Sequence, residues 1–293
     1  MMIAQNGALT VLALALQPAP PPVTDAITTL EPSSKWNVHY ADDYCRLARN
    51  FGTGDQSITL LIDRFAPSSV FRLNLVGPPM KRSAADGTAT IRFGPDLPEQ
   101  KLDFYMGDFG EGQPAWIFRS GVYLRPAPAS AAGVIPAPAI IAENDEASVT
   151  EIGIGRPLRK PVRLRTGSMK GAFTALRTCT DQLLASWGVD AEQNRKLSRP
   201  AKPMSSPATW LRPNDYPPDM IRKYQPGLVQ FRLVIGEDGR PKSCHIQQST
   251  NPEGFDAAVC KALMRRAEFE PALDENGRPV ASYYLNLARF MVP

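Results

Sequence analysis

The chain has 293 residues, 43% of them hydrophobic and 21% charged, so it is long enough for two domains and apolar enough for ordinary cores. Its formal net charge of +4 is too small to indicate a nucleic-acid-binding protein. The 29 prolines are well above the average usage of about 5% and cluster near residues 17–22, 126–138 and 200–218. Such clusters indicate linkers or irregular loops.

A signal peptide is predicted over residues 1–15. Residues 8–16 are mostly apolar, and Ala13-Leu14-Ala15 has the small-x-small pattern of a cleavage site. The first basic residue is Lys35, so the usual basic flank is missing, and an unstructured apolar tail is the alternative interpretation. A membrane anchor is not predicted, because so short a helix spans about 14 Å and the bilayer core is about 30 Å thick.

Residues 30–189 are predicted to form a mostly antiparallel β domain with one closing helix. Short segments of alternating apolar residues are separated by Gly, Pro and Asp, at 36–40, 57–65, 70–76, 88–93, 102–106, 115–118 and 149–154. From Ser168, a good helix cap, the apolar period becomes helical and ends at Gly188. Residues 190–209 have three prolines and no periodicity, which predicts an interdomain linker.

Residues 210–293 are predicted to form a second, smaller α+β domain. Apolar residues alternate from Val229 to Ile235, the Asp238-Gly239 turn follows, and Cys244 and Ile246 lie on one face of a return strand. Asp256 is the expected cap of a helix, with Phe255 and Cys260 as a hydrophobic staple. Its predicted apolar stripe is Val259, Cys260, Leu263, Met264 and Ala267, and a last strand is expected from Val280 to Met291.

Four cysteines allow three pairings. Cys244 is expected on the core face of its strand and Cys260 on the helix stripe that packs there, which leaves Cys45 and Cys179 for the N-terminal domain. Pairing within each domain is therefore predicted, and closing the shorter loop stabilises by about 3 kcal/mol. Four free thiols are the alternative. A metal site is disfavoured, because only His39 and His245 are available to help.

The C-terminal segment resembles the C-terminal domain of TonB energy-transducer proteins, from Trp210 to the chain end. The resemblance is carried by Tyr216-Pro217, Gly227, Glu237-Asp238-Gly239-Arg240, Met264-Arg265-Arg266, Phe269-Glu270-Pro271 and the closing strand. It implies a three-stranded antiparallel sheet backed by helices. It also implies that the domain binds a short extended segment of an outer-membrane receptor in the periplasm.

The resemblance makes the closing strand the expected partner-binding edge. In β-strand addition an extended peptide pairs with a free sheet edge, and pockets for alternate side chains select the partner. The expected edge residues are Tyr283, Tyr284, Leu285, Asn286, Leu287 and Ala288, with Tyr284 and Asn286 on one face and Leu285 and Leu287 on the other. An open edge also permits a dimer through this domain. The expected location is the periplasm, with or without membrane association.

No enzymatic motif is identified, so a non-enzymatic role without cofactor, metal or nucleic acid is expected. Asp42-Asp43 and Asp238 are interpreted as turn or surface carboxylates, because no histidine is expected near them. Two alternatives are kept. One is a full energy transducer for transmembrane transport whose anchor is not visible in this sequence. The other is a thiol-redox envelope protein that uses Cys244 and Cys260, disfavoured because their spacing is not Cys-x-x-Cys.

Overall fold

The computed structural model describes residues 27–81, 86–110, 112–119, 121–125, 143–250 and 252–292. The predicted signal peptide lies outside the described residues. The fold is α+β, with one large, mostly antiparallel sheet in the N-terminal part and smaller antiparallel sheets in the C-terminal part. The predicted fold class is confirmed at this level.

The N-terminal sheet has ten strands in the order β1-β10-β9-β6-β7-β8-β5-β4-β3-β2. Every neighbouring pair is antiparallel except β1 and β10. The strands are β1 Thr28–Leu30, β2 Asn37–Tyr40, β3 Cys45–Phe51, β4 Ile58–Arg64, β5 Arg72–Val76, β6 Asp86–Phe93, β7 Gln100–Phe109, β8 Gln113–Phe118, β9 Ile152–Ile154 and β10 Val162–Leu164.

Two helices accompany this sheet, α1 (Glu143–Ser148) and α2 (Lys170–Ser186). The buried face of α2 packs on the sheet, where the Phe173 ring lies 6.1 Å from that of Phe71. The predicted cap at Ser168 is wrong. Its hydroxyl donates to the carbonyl of Ala147, and the fully buried Met169 takes the cap position without a side-chain hydrogen bond. Burial of Met169, rather than local capping, therefore positions the helix start.

The C-terminal part is built around a three-stranded antiparallel sheet in the order β13-β12-β17. Two short ribbons, β11 with β14 and β15 with β16, flank it. The elements are α3 Ala191–Arg195, β11 Lys202–Pro203, α4 Pro218–Arg222, β12 Gly227–Ile235, β13 Pro241–Ser249, α5 Pro252–Arg266, β14 Phe269–Glu270, β15 Ala272–Leu273, β16 Pro279–Val280 and β17 Ser282–Phe290. Short 3-10 turns lie at Gly54–Gln56, Pro78–Met80, Pro207–Thr209 and Pro213–Asp215.

The segment predicted as a linker packs along the C-terminal domain. The amide of Ser198 donates to the carbonyl of Leu273 at 2.9 Å, and the amide of Met204 donates to the carbonyl of Glu268 at 2.9 Å. Between these contacts β11 pairs with β14. This segment, predicted as a linker, therefore extends the hydrogen-bonded structure of the C-terminal part.

Helix α5 begins at Pro252, so the predicted cap at Asp256 is wrong. Proline is well suited to the first turn of a helix, because its missing N–H would have no partner there. Phe255 consequently lies inside the helix and is fully buried. Its ring stacks on that of Phe290 at 4.5 Å and meets that of Tyr216 at 5.6 Å. These tertiary contacts replace the predicted staple with Cys260.

The apolar stripe of α5 is narrower than predicted. Val259, Leu263 and Ala267 are buried against the sheet, but Met264 is 41% exposed. Cys260 is bonded to Cys244 of β13 and so ties the helix to the sheet.

The face of the three-stranded sheet opposite α5 packs against the N-terminal domain. Gln247 donates from Nε2 to the carbonyls of Asp43 at 3.0 Å and Phe65 at 3.3 Å. Tyr283 donates from its hydroxyl to the carbonyl of Pro67 at 2.9 Å. One face of this small sheet is thus covered by its own helix and the other, in part, by the first domain.

Candidate functional site

Strand β17 is an edge strand. It pairs with β12 along its whole length, from Ser282 opposite Ile235 to Phe290 opposite Gly227. In the part of the chain that the structure describes, no strand pairs with its other side. The predicted partner-binding segment, residues 283–288, therefore lies at a sheet edge, as strand addition requires.

The free side of β17 carries backbone groups that the sheet does not use. The exposed amide of Leu287 donates to the side-chain Oδ1 of Asn286 at 2.7 Å. Residues of an antiparallel edge strand alternately face their partner strand and face away from it. The amides and carbonyls of Leu285 and Arg289 therefore also face outward, and the edge presents a row of donors and acceptors.

The beginning of β17 is covered by α3. Asn194 donates from Nδ2 to the carbonyl of Ala281 at 3.3 Å, and Ser282 donates from its hydroxyl to Asn194 Oδ1 at 3.1 Å. Ala281 precedes Leu285 by an even number of residues, so its carbonyl faces the same outward side. The open part of the edge therefore runs from residue 283 towards the end of the strand.

Part of the predicted site faces α5. Ala288 is buried, and the Tyr284 ring lies 5.0 Å from that of Phe269. Asn286 is on the same face and donates from Nδ2 to the Tyr284 hydroxyl at 2.7 Å. Burial raises the pKa of the Tyr284 phenol, and the bond from Asn286 partly offsets this shift. Of the predicted residues on this face, Ala288 is buried, and Tyr284 and Asn286 are half-buried.

The remaining predicted residues lie on the opposite face. Tyr283 is held by the N-terminal domain, with its ring 5.8 Å from that of Trp187 and its hydroxyl on Pro67. Leu285 is half-buried, and Leu287 is 49% exposed. Leu287 is therefore the most exposed side chain of the predicted site, and the role of residues 283–288 in partner binding stays a prediction.

A cleft of about 300 Å³ opens between the domains beside this edge. Its lining comprises Arg72 from β5 and, from the small sheet or its end, Leu228, Gln230, Gln248, Ser249, Thr250 and Leu287. Sequence reasoning does not identify Arg72, because 158 residues separate it from Gln230, to which it donates at 2.8 Å. The available signal is Gln230 itself, a polar side chain in the middle of a hydrophobic strand.

A cluster of charged groups joins the two domains. His245 Nε2 lies 2.7 Å from Asp43 Oδ1, and Arg232 Nη1 lies 3.9 Å from the same oxygen. The expectation that no histidine lies near the Asp42-Asp43 pair is therefore wrong. Arg232 is 8% exposed and lies 4.0 Å from the Trp187 ring. Burial lowers the pKa of Arg232, and Asp43 partly offsets the shift.

Both predicted cysteine pairs are present, Cys45 with Cys179 and Cys244 with Cys260. Within the described ranges, no group of three or more His, Cys, Asp or Glu residues is arranged to hold a metal ion. No helix among those same residues is long and apolar enough to cross a membrane.

Comparison with known proteins assigns the C-terminal segment. Residues 212–291 match the family model described as Gram-negative bacterial TonB protein C-terminal. Among curated proteins, none matches the chain. This segment is therefore similar to the domain by which TonB proteins of the Gram-negative envelope interact with outer-membrane proteins. The predicted resemblance to the TonB C-terminal family is thereby confirmed over residues 212–291, the segment that contains the three-stranded sheet and its open edge.

Proposed function

We propose that this protein is a non-enzymatic periplasmic docking protein that binds an extended segment of an outer-membrane receptor, or of another envelope protein, by adding it as a strand to β17. The proposed role requires no cofactor. The N-terminal domain serves as the support on which the TonB-like sheet is mounted.

The observation that carries this proposal is the open edge of β17 within the family-matched segment. The outward amides and carbonyls of Leu285, Leu287 and Arg289 supply hydrogen bonds that any extended chain can complete. The amide of Leu287 is occupied by the Asn286 side chain, which a partner carbonyl must replace. A short local bond of this kind protects an edge amide without closing the edge.

The test measures binding of fluorescein-labelled peptides by fluorescence polarisation. The peptides cover the periplasm-facing segments of outer-membrane receptors from the same bacterium, and the protein is the full chain with its disulfides intact. We expect at least one peptide to bind. If none binds to the folded protein, the proposed function is wrong.

A matched pair of variants separates backbone from side-chain binding. Leu287→Pro removes the outward amide at a position where the sheet does not need it, and edge strands tolerate proline there. Leu287→Ala shortens the side chain and keeps the amide. We expect the proline variant to lose binding by about tenfold or more and the alanine variant to lose much less. Equal binding by the parent and proline variants would exclude strand addition at β17.

A further inference from the structure

Five exposed basic residues lie close together on the outer face of the N-terminal sheet, around Thr90 of β6. Lys101 is opposite Thr90 on β7, and Arg92 follows Thr90 by two residues, so their side chains point to the same face. The amide of Thr90 donates to the carbonyl of Arg156, in the turn between β9 and β10, at 2.9 Å. We call the five residues the basic surface, and all are exposed: Arg92, Lys101, Arg156, Arg159 and Lys160.

The basic surface is not neutralised by ion pairs. Among the residues that the structure describes, its five side chains form no ion pair and donate no hydrogen bond. The neighbouring Arg163 is paired with Glu151, with its Nε 3.1 Å from Oε1. Two exposed carboxylates, Glu99 and Asp103, lie on the β7 border, and Asp103 accepts a bond from Thr88 at 2.7 Å. The surface therefore keeps a net positive charge.

The positive charge is also concentrated along the chain. Residues 151–165 contain five basic residues and one acidic residue, whereas the whole chain has 33 and 29. Three of the five lie in the turn between β9 and β10, at positions 156, 159 and 160. Such a local excess, rather than the net charge of the protein, sets the electrostatic potential at this surface.

The turn between β9 and β10 lies at the end of the large sheet that faces away from the C-terminal domain. That domain contacts the sheet near Asp43 and Pro67, and β4 runs towards this contact. The next strands across the sheet, β5, β8, β7, β6 and β9, are each antiparallel to the one before. Strand β9 therefore runs away from the contact, and a partner held at the turn leaves the edge of β17 uncovered.

We propose that the basic surface binds the anionic phospholipid headgroups of a membrane surface. Each Lys or Arg close to an anionic bilayer strengthens binding by about fivefold, and the contributions of several residues combine. Arginine and lysine carry their charges on long stems, so they can reach headgroups without a fitted pocket. This peripheral binding does not depend on strand addition to β17.

A small soluble anion or a sugar chain fits the basic surface less well. Such ligands are held in concave sites by a few precisely placed polar groups. The five cations are instead spread over two strands and a turn, and no hydrogen bond from their side chains to another described residue fixes them. Tyr105, an exposed aromatic residue on β7, already stacks with Arg119, whose guanidinium carbon lies 3.8 Å from the ring centre. A wide array of charged headgroups matches this arrangement better.

Vesicle co-sedimentation of the full chain, with its disulfides intact, tests the proposal. One set of vesicles is phosphatidylcholine alone, and the other contains about 30% phosphatidylglycerol, which supplies the negative charge. We expect the parent protein to sediment with the anionic vesicles and not with the neutral ones. Raising the salt from about 0.05 M to about 0.3 M should weaken binding by about tenfold or more, because salt screens the attraction.

Neutralising the turn locates the binding surface. The test variant combines three changes: Arg156→Gln, Arg159→Gln and Lys160→Gln. It should bind anionic vesicles about tenfold more weakly than the parent, or weaker still. The control variant removes three charges at exposed positions outside the basic surface: Lys35→Gln, Lys223→Gln and Lys261→Gln. It has the same net charge as the test variant and should bind nearly as well as the parent.

A conservative variant separates a charged surface from a fitted anion site. Arg156→Lys combined with Arg159→Lys keeps both charges but removes the planar guanidinium groups that a fitted site would use. We expect it to bind anionic vesicles as the parent does. If it loses binding as fully as the test variant, a specific anion site is responsible and the membrane proposal is wrong.

Three other results would overturn the proposal. One is that the parent binds neutral and anionic vesicles equally, or binds neither. Another is that the test and control variants lose binding equally, which would make net charge responsible. The third is that the turn is required for binding dextran sulfate, a soluble anionic polysaccharide, while anionic vesicles are not bound. The first result needs only the parent protein, so it holds even if the test variant fails to fold.

Discussion

Gly227 brings β12 and α5 into direct contact. A Cβ atom at this position would lie 2.6 Å from two atoms of the Phe255 ring. That ring is enclosed by those of Phe290 and Tyr216, so it has little room to move. The glycine in the family-like motif is therefore explained by close packing.

Gly227→Ala should destabilise the C-terminal domain by about 1–3 kcal/mol, because the added methyl group overpacks the aromatic cluster. Urea unfolding followed by circular dichroism measures the change. Gly171→Ala is the control, since a Cβ there meets nothing within 4 Å. It lies in α2 and should be neutral or stabilising by up to about 1 kcal/mol. Equal stability of the Gly227→Ala variant and the parent would contradict the packing argument.

At the scale of elements, β13 and α5 are joined by the Cys244–Cys260 bond. The two cysteines are 16 residues apart in the sequence. Closing a loop of about this length lowers the conformational entropy of the unfolded chain, which stabilises the folded state by about 3 kcal/mol. α5 packs on the sheet mainly through the aromatic cluster and the stripe that contains Val259 and Leu263. The disulfide therefore adds to the stability that this small hydrophobic core provides.

Replacing both Cys244 and Cys260 with alanine should cost about 2–5 kcal/mol. Hydrogen exchange read by peptide mass spectrometry should show faster exchange in β12 and α5, with β6 and β7 unchanged. Double replacement of Cys45 and Cys179 is the control and should show the reverse distribution. Free thiols in parent protein purified from the periplasm without reductant would contradict the bond itself.

Local pattern predicts some elements of this fold and misses others. Val229, Phe231, Leu233 and Ile235 could be predicted as a strand, because alternation directly reports a single buried face. The start of α5 could not be predicted in this way. Asp256 is a good local cap, but the tertiary contacts of the buried Phe255 ring place both residues inside the helix. The parallel pairing of β1 with β10 has no local signal, since these strands are far apart in the chain.

For the whole molecule, the least predictable feature is the contact between domains. Residues far apart in the sequence meet there, such as Gln247 and Asp43, which are separated by 204 residues. The open edge of β17 follows from the family resemblance, whereas the cleft beside it depends on how the first domain sits against the sheet. The predicted segment, residues 283–288, does lie at a sheet edge, and its role in partner binding stays a prediction. The positions of Arg72, His245 and Asp43 at the contact between domains could not be predicted from local pattern.

Tyr283 reports on this interface through its ionisation. Its hydroxyl donates to Pro67 of the N-terminal domain, and burial, together with the nearby Asp181 charge, raises its pKa well above the ordinary value of 10.0. Below pH 10, the phenol is protonated in both the folded and the unfolded chain, so its stabilising contribution is fully present. Above about pH 10 the unfolded chain ionises first, and this contribution is lost as the pH rises towards the raised pKa.

Tyr283→Phe should therefore have two effects on the free energy of unfolding. Near pH 8 the variant should be less stable by about 1 kcal/mol, because the bond to Pro67 is lost. Between about pH 10 and 11 the difference in the free energy of unfolding should shrink, because only the parent loses stability when this phenol ionises in the unfolded chain. Urea unfolding of both proteins across this range measures the difference, and Tyr224→Phe, at a tyrosine that is 76% exposed, is the control. A difference that is constant with pH would show that Tyr283 ionises as freely as an exposed tyrosine and that the interface does not bury it.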